Sequence, residues 1–330
     1  MRHVPAALAA AICAVLLLGP ALIHPTTLAL GGPLTEAPPH LWGLWTAADG
    51  VFRHGPFVRV ADIAWPVGFK AHLMDPVNLL VFLPVYRLAG GGVSGAVAGW
   101  NALHLAAVIV GAFGMVRLGR RWLGASDAWP IALMVIVFCG SPFLLNTPAM
   151  GRSEYLPAAL YPLHLALLHA WMRRRPGGDP NGPAPSPSPF TGILSGLTLG
   201  GVCLGGWYLA VFAGILEILI GLWWARGLPS REAAWRLGLV AGLAAVCLVP
   251  SFLAFQAWPS SRCFPSTCSW TSVHCGQDPY PATSLRDLFR LSLGGLGLGW
   301  PDQPPYVGVL PLVLGLVGTW RRRSGALPWL

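Results

Sequence analysis

Apolar runs that are long enough to cross a lipid bilayer recur along the chain, and they constrain its fold more than any other feature. They extend over roughly 18–25 residues, the length that a helix needs to cross about 30 Å of hydrocarbon. Short polar breaks, many of them rich in arginine, separate the runs. A bilayer admits only segments that satisfy their own backbone hydrogen bonds. The pattern therefore predicts an all-α, polytopic transmembrane bundle of about eight spans.

Composition favours the same class of protein. Hydrophobic residues make up 55% of the chain, charged residues 10%, and the mean hydropathy is +0.61, values that are atypical of a soluble domain. The net charge of +9 does not indicate a nucleic-acid partner, because most arginines flank apolar runs, where they determine topology. We therefore expect membrane lipid as a partner and no nucleic acid.

The arginine clusters predict the orientation of the chain. They lie at residues 117–121, 173–175 and 321–323, each directly after an apolar run. The positive-inside rule assigns such clusters to the cytoplasm. We expect a multi-pass protein of the bacterial inner (plasma) membrane, with a first outer loop at residues 31–92 and a second at 256–304.

A polar segment divides the chain into two membrane regions. Residues 176–189 are rich in Pro, Gly, Ser, Asn and Asp, which predicts a disordered cytoplasmic linker between regions 1–175 and 190–330. The apolar stretch 190–225 is too long for one span and contains several glycines, so it predicts two short helices joined by a tight turn.

Three further segments need separate interpretation. Residues 4–30 predict an uncleaved first span, with a signal peptide as the alternative, because the run exceeds a typical signal core and no cleavage site closes it. Residues 75–89 are too short to span and predict an interfacial or re-entrant helix. Residues 325–330 resemble the start of another span, so we expect further spans to follow.

Acidic residues of the predicted outer side are the first candidates for chemistry. Glu36, Asp49, Asp62 and Asp75 belong to the first outer loop, and Glu154 to a later outer segment. Carboxylates at a membrane surface can act as general bases or hold a divalent cation. Alternatively, they only keep a long aqueous loop soluble.

Basic and aromatic residues accompany these acids. Arg59, Lys70 and Arg152 can neutralise a phosphate, and the tryptophans of the first loop can stack on sugar rings. The alternative is an aromatic belt whose cations meet lipid phosphates.

Short motifs of the first loop resemble those of a known superfamily. They are HLWGLW at residues 40–45, GP at 55–56, WPVG at 65–68 and DPVNLL at 75–80, followed by GRSE at 151–154. With the apolar spans around them, they resemble the N-terminal part of bacterial membrane proteins of the GT-C glycosyltransferase superfamily.

This resemblance implies a fold, an activity and a site. It implies transfer of a sugar from a polyprenyl-phosphate donor to a glycan or lipid acceptor at the outer face, with amphipathic helices and a catalytic acid in the first loop. Many members carry adjacent acids after the first span, whereas Glu36 stands alone here, so Glu36 and Asp49 are both predicted catalytic residues. The predicted substrate-binding residues are His40, Arg59, Asp62, Lys70, Asp75, Arg152 and Glu154.

One ionisable residue within a predicted span favours other functions. Glu217 interrupts an apolar run, where a charged residue usually faces a cavity or a partner. A hydrogen bond to a neighbouring helix is one interpretation, and a transporter or lipid flippase with Glu217 on its path is another. A non-catalytic membrane protein is the third class. His104, His164 and His169 lack ligand spacing and are predicted to be packing or capping residues.

The cysteines of the second outer loop form the last candidate group. Because Cys263, Cys268 and Cys275 would lie in an oxidising compartment, we expect two of them to form a disulfide. Zinc binding by these three and His274 is the alternative. No phosphate-binding Gly-rich loop, nucleophile elbow or His-Glu-x-x-His motif occurs in the chain.

Overall fold

The computed structural model describes residues 4–32, 35, 37–54, 76–122, 128–141, 151, 155–172, 188–225 and 228–256. Every regular element within these ranges is an α-helix, which confirms the predicted all-α class. The helices are α1 (Val4–Ile23), α2 (Ala37–His54), α3 (Pro76–Leu88), α4 (Gly92–Trp122), α5 (Ala128–Cys139), α6 (Tyr155–Ala159), α7 (Tyr161–Met172), α8 (Pro189–Leu204), α9 (Trp207–Ala225) and α10 (Ser230–Gln256).

Three helices of the described ranges, α1, α4 and α10, are long and apolar enough to cross a membrane. The helices α3, α5, α8 and α9 are also apolar, but their apolar stretches are of only 10–17 residues. This fits the predicted membrane character of the chain, and the predicted number of about eight spans stays a prediction. The second outer loop and the predicted last span lie outside the described residues.

The first helical group packs α1 against α4 and α5. The face of α1 that turns inward carries small residues such as Ala9, Cys13 and Ala14, whereas Leu8 and Leu16 point outward and are exposed. Small side chains at a contact let apolar helices approach closely, and they are typical of helix pairs in lipid. Trp100 of α4 is completely buried in this group.

A tight turn joins α3 to α4. Gly90, Gly91 and Gly92 all have positive φ, between 62° and 87°, a region that only glycine enters without strain. The turn returns the chain antiparallel to α3, because the rings of Tyr86 and Phe82 lie against successive turns at the start of α4. The segment predicted to be interfacial or re-entrant is therefore a helix that packs along α4.

A second helical group contains α7, α8 and α10. Gly196 and Gly200 of α8 face α10, and a Cβ on Gly196 would come within 3.0 Å of the carbonyl oxygen of Val240. Glycines spaced four residues apart form one helix face that permits such backbone approach. The helix ends at Leu204, where Gly205 is the C-cap, and α9 starts at Trp207. The predicted pair of short helices in residues 190–225 is thus confirmed.

A buried arginine joins α10 to the end of α7. Arg236 is only 4% exposed, and its guanidinium donates hydrogen bonds to the carbonyl of Trp171 and to the carboxylate of Glu232. The Trp171 indole returns a 3.0 Å hydrogen bond to the Arg236 carbonyl. A cation next to the last carbonyls of α7 also interacts favourably with the helix dipole.

Candidate functional site

Two of the predicted site residues, His40 and Asp49, belong to the described part of the chain, and both lie on α2. The others lie outside the described residues. They are Glu36, Arg59, Asp62, Lys70, Asp75, Arg152 and Glu154. The described residues next to them in sequence are Thr35 and Ala37, Pro76, Gly151 and Tyr155.

A threonine organises the chain before α2. The Thr35 hydroxyl donates a 2.7 Å hydrogen bond to the Gly32 carbonyl and accepts one from the backbone N–H of Ala37 at 3.2 Å. It also accepts a hydrogen bond from the N–H of Gly32 at 3.2 Å. Such a side chain supplies partners that the first backbone groups of a helix lack. Gly32 and Ala37, on either side of Thr35 in sequence, are therefore both bonded to its hydroxyl.

Two glycines bring this turn against a distant part of the chain. Gly31 and Gly151 have φ values of 89° and 69°. A Cβ on Gly151 would overlap the backbone N and Cα of Ala37, and a Cβ on Gly31 would lie 3.2 Å from the Cα of Gly151. We call the contact among Gly31, Ala37 and Gly151 the glycine junction. Only glycine combines this conformation with this lack of space.

Side chains from α4 fix the segment that leads into the junction. The Asn101 amide donates hydrogen bonds to the carbonyls of Pro25 and Leu28 at 3.0 and 2.7 Å and accepts one from the Leu30 N–H at 3.1 Å. The Trp100 indole donates to the Leu30 carbonyl at 2.9 Å. The loop after α1 thus has a defined path over α4.

The starts of α3 and α6 both pack at the end of α8. The Val77 side chain of α3 lies 3.8 Å from the Cβ position of Gly201 on α8, and a Cβ on Gly205 would overlap Pro157 of α6. Helix α3 also contacts α2 and α6. Described residues shortly after Asp75 and Glu154 in sequence therefore pack against the same end of α8.

The two described candidates on α2 differ in their distance from the glycine junction. Asp49 lies twelve residues after Ala37 on α2, which is about 18 Å along the helix axis. His40 lies three residues after Ala37, about 4.5 Å along the same axis. Among the described candidates, His40 is therefore close to the junction and Asp49 is remote from it.

A second polar group lies inside the bundle around Glu217. Its carboxylate oxygen Oε1 lies 2.8 Å from Nε2 of His164 and 3.4 Å from the Tyr161 hydroxyl, which donates to it. On the other side of the ring, Nδ1 of His164 lies 2.9 Å from the Ser195 carbonyl oxygen and 3.2 Å from its hydroxyl. The group joins α7, α8 and α9.

Burial distinguishes the members of this polar group. His164 and Ser195 are completely buried, whereas the Glu217 side chain is 13% exposed. The interpretation that Glu217 bonds to a neighbouring helix is confirmed, but His164 is not simply a packing residue, because it bridges two helices. Glu217 was the sequence signal for this group, and nothing in the spacing of His164 or Ser195 identified them.

Known proteins give no further guide to the site. No family model, no curated protein and no solved structure matches the chain. Within the described ranges, no three His, Cys, Asp or Glu side chains lie together as metal ligands. The divalent cation stays a prediction for the loop acids, most of which lie outside these ranges. The second-loop cysteines lie outside them as well.

Proposed function

We propose that this protein is a membrane glycosyltransferase that transfers a sugar from a polyprenyl-phosphate donor to a glycan or lipid acceptor at the outer face of the inner membrane. One observation carries the proposal. The glycine junction brings Ala37, the residue after Glu36 in sequence, into contact with Gly151, the first residue of the GRSE motif that contains Arg152. An acid and a phosphate-binding cation are the two groups that such a transfer requires.

The length of α4 is consistent with a site at the membrane surface. Its 31 residues extend about 46 Å, whereas the hydrocarbon core is about 30 Å thick. Asn101, which holds the loop after α1, lies nine residues from the start of α4, about 13 Å along the axis. In the proposed arrangement, the arginines of residues 117–121 lie at the cytoplasmic surface and the roughly 20 residues before them cross the hydrocarbon, so the first turn of α4 stands above it and the loop held by Asn101 lies near its outer edge.

A lipid-linked donor explains why this level matters. The polyprenyl tail stays in the bilayer, so the phosphate and the anomeric carbon of the sugar stay near its surface. A catalytic acid rooted at the end of the first span reaches that carbon with little movement, which is the advantage of positioning in catalysis.

The proposed reaction is a displacement at the anomeric carbon. Glu36 accepts the proton of the acceptor hydroxyl, and the acceptor oxygen forms a bond to the anomeric carbon. The bond from that carbon to the phosphate oxygen breaks, and polyprenyl phosphate leaves with the electron pair. Arg59, Lys70 and Arg152 neutralise the leaving phosphate, while His40, Asp62, Asp75 and Glu154 bind the sugars.

The position of Asp49 favours Glu36 as the general base. A general base must come within hydrogen-bonding distance of the proton that it removes. Asp49 lies about 18 Å along α2 from the junction, whereas Glu36 is the residue before Ala37 in sequence. Asp49 therefore serves as the comparison in the tests below.

The direct test uses membranes that contain or lack the full-length protein. They are incubated with radiolabelled polyprenyl-phosphate sugars, and the label is followed into the acceptor fraction and into water. We expect protein-dependent transfer of label from one of these donors. If a panel of common lipid-linked sugars gives no such transfer, the protein is a transporter, a flippase or a non-catalytic membrane protein, and the proposal is wrong.

A further inference from the structure

We propose that His164 and Glu217 form a proton-binding site inside the helix bundle and that the pair holds one proton while remaining neutral overall. This inference is independent of the glycosyltransferase activity, because the pair lies away from the glycine junction on other helices. The ligand of the site is a proton, held between Nε2 of His164 and Oε1 of Glu217 across 2.8 Å.

Glu217 lies in the middle of its helix, and His164 lies in the first turn of the helix that it belongs to. Glu217 is ten residues after the start of α9 and eight before its end, and His164 is the fourth residue of α7. The side chains around Glu217 on α9 are apolar, and Ile215, Leu216 and Ile218 are exposed on the surface that would face lipid. A net charge in such surroundings is unfavourable, so a neutral state of the pair is favoured.

The contacts of the imidazole determine how many protons the pair holds. The Ser195 carbonyl can only accept a hydrogen bond, so Nδ1 of His164, at 2.9 Å from it, carries a hydrogen. One further proton then lies between Nε2 and Oε1. It belongs either to an imidazolium that faces a carboxylate or to a carboxylic acid that donates to a neutral ring. Both arrangements are neutral and contain the same proton.

The neighbouring titratable groups do not supply a compensating charge. Tyr161 of α7 donates its hydroxyl hydrogen to Oε1 of Glu217 at 3.4 Å. Cys203 of α8 is close enough to interact electrostatically with Glu217 and with Cys247 of α10. All three are neutral in their ordinary protonated forms. In this part of the described bundle, the proton shared by His164 and Glu217 therefore balances the negative charge of the Glu217 carboxylate.

Exposure distinguishes the two members of the pair. The Glu217 side chain is 13% exposed, whereas His164 is completely buried, so Glu217 is the member nearer the surface of the bundle. Loss of the proton, or gain of a second one, leaves a net charge between α7 and α9, so occupancy of the site is linked to the contact between these helices.

The test measures protonation directly in the full-length protein in lipid nanodiscs at neutral pH. Histidine rings are labelled with 15N for solid-state NMR, and carboxyl groups are followed by infrared spectroscopy. We expect an imidazolium signal or a protonated-carboxyl band in the wild type, and its loss in Glu217→Gln.

The glutamine keeps the size of the side chain and a hydrogen-bond donor, so the variant should fold and show a neutral His164 ring with hydrogen on Nδ1 only. The ring signal that changes in Glu217→Gln identifies His164, and His164→Gln provides a second assignment.

Glu232→Gln is the matched control. It makes the same change of side chain, but the described hydrogen bonds of Glu232 go to Arg236 and those of His164 go to Glu217 and Ser195. It should leave both signals unchanged. The proposal is overturned if the wild type shows a neutral ring next to an ionised carboxylate. It is equally overturned if the imidazolium signal persists in Glu217→Gln, since the proton would then not belong to the pair.

Discussion

Removal of the Asn101 side chain should loosen the loop that leads into the glycine junction. Asn101 is only 7% exposed, and its amide makes three hydrogen bonds to the backbone between Pro25 and Leu30. In Asn101→Ala, these three backbone groups lose their partner. Asn101→Asp keeps an acceptor for the Leu30 N–H but cannot donate to the two carbonyls, so it should also be destabilising.

The magnitude follows from the number of bonds. A hydrogen bond contributes about 0.5–1.5 kcal/mol net, so the loss of three lowers the free energy of unfolding by roughly 2–4 kcal/mol. For a chain of this size, that corresponds to a decrease in the midpoint of thermal unfolding of about 3–6 °C.

The assay is thermal unfolding of the purified full-length variants in one detergent at one scan rate, because unfolding of membrane proteins is commonly irreversible. Thr46→Ala is the control, since it removes one exposed hydrogen bond within α2. It should change the midpoint by less than about 2 °C. If Asn101→Ala unfolds within 1–2 °C of the wild type, at about the precision of such scans, Asn101 does not hold the loop.

The remaining predictions concern packing, topology and covalent structure. Gly196→Leu should destabilise the protein by about 1–3 kcal/mol, because its Cβ would meet backbone of α10, whereas Gly242→Leu should be nearly neutral since nothing lies within 4 Å of that position. Thermal midpoints of the two variants decide this. A single cysteine at Ser186 should resist an impermeant reagent in intact cells, and efficient labelling would reverse the proposed orientation. Two of the second-loop cysteines should resist alkylation in denatured, unreduced protein, and three reactive thiols in that loop would exclude the disulfide.

Periodic and local signals in the sequence predicted the helices well. The apolar runs gave the all-α class, and the glycines near residue 205 gave the break between α8 and α9. Helix α2 was less evident from its residues, because Pro38 and Pro39 lie near its start. Proline is tolerated there, since the first backbone N–H groups of a helix have no partner within it.

Contacts between distant helices could not be derived in the same way. The pairing of His164 with Glu217 depends on how α7, α8 and α9 are arranged, and no spacing in one sequence encodes that arrangement. The glycine junction was also not foreseen, although Gly151 begins one of the motifs used for the resemblance. A four-residue spacing of glycines on α8, in contrast, was a signal that the sequence already contained.

The measurement that most directly tests the proposed transferase is the turnover of Glu36→Gln beside Asp49→Asn. Both variants keep the size of the side chain and remove the carboxylate, and both should insert into membranes at wild-type levels. Loss of a general base lowers turnover by about 100-fold or more, and we expect this for Glu36→Gln with lipid-linked sugar as the donor. Asp49→Asn should have a much smaller effect, because Asp49 is remote from the glycine junction. If sugar transfer is unchanged in both variants, the acids of the first loop are solvating groups and the proposed mechanism is contradicted.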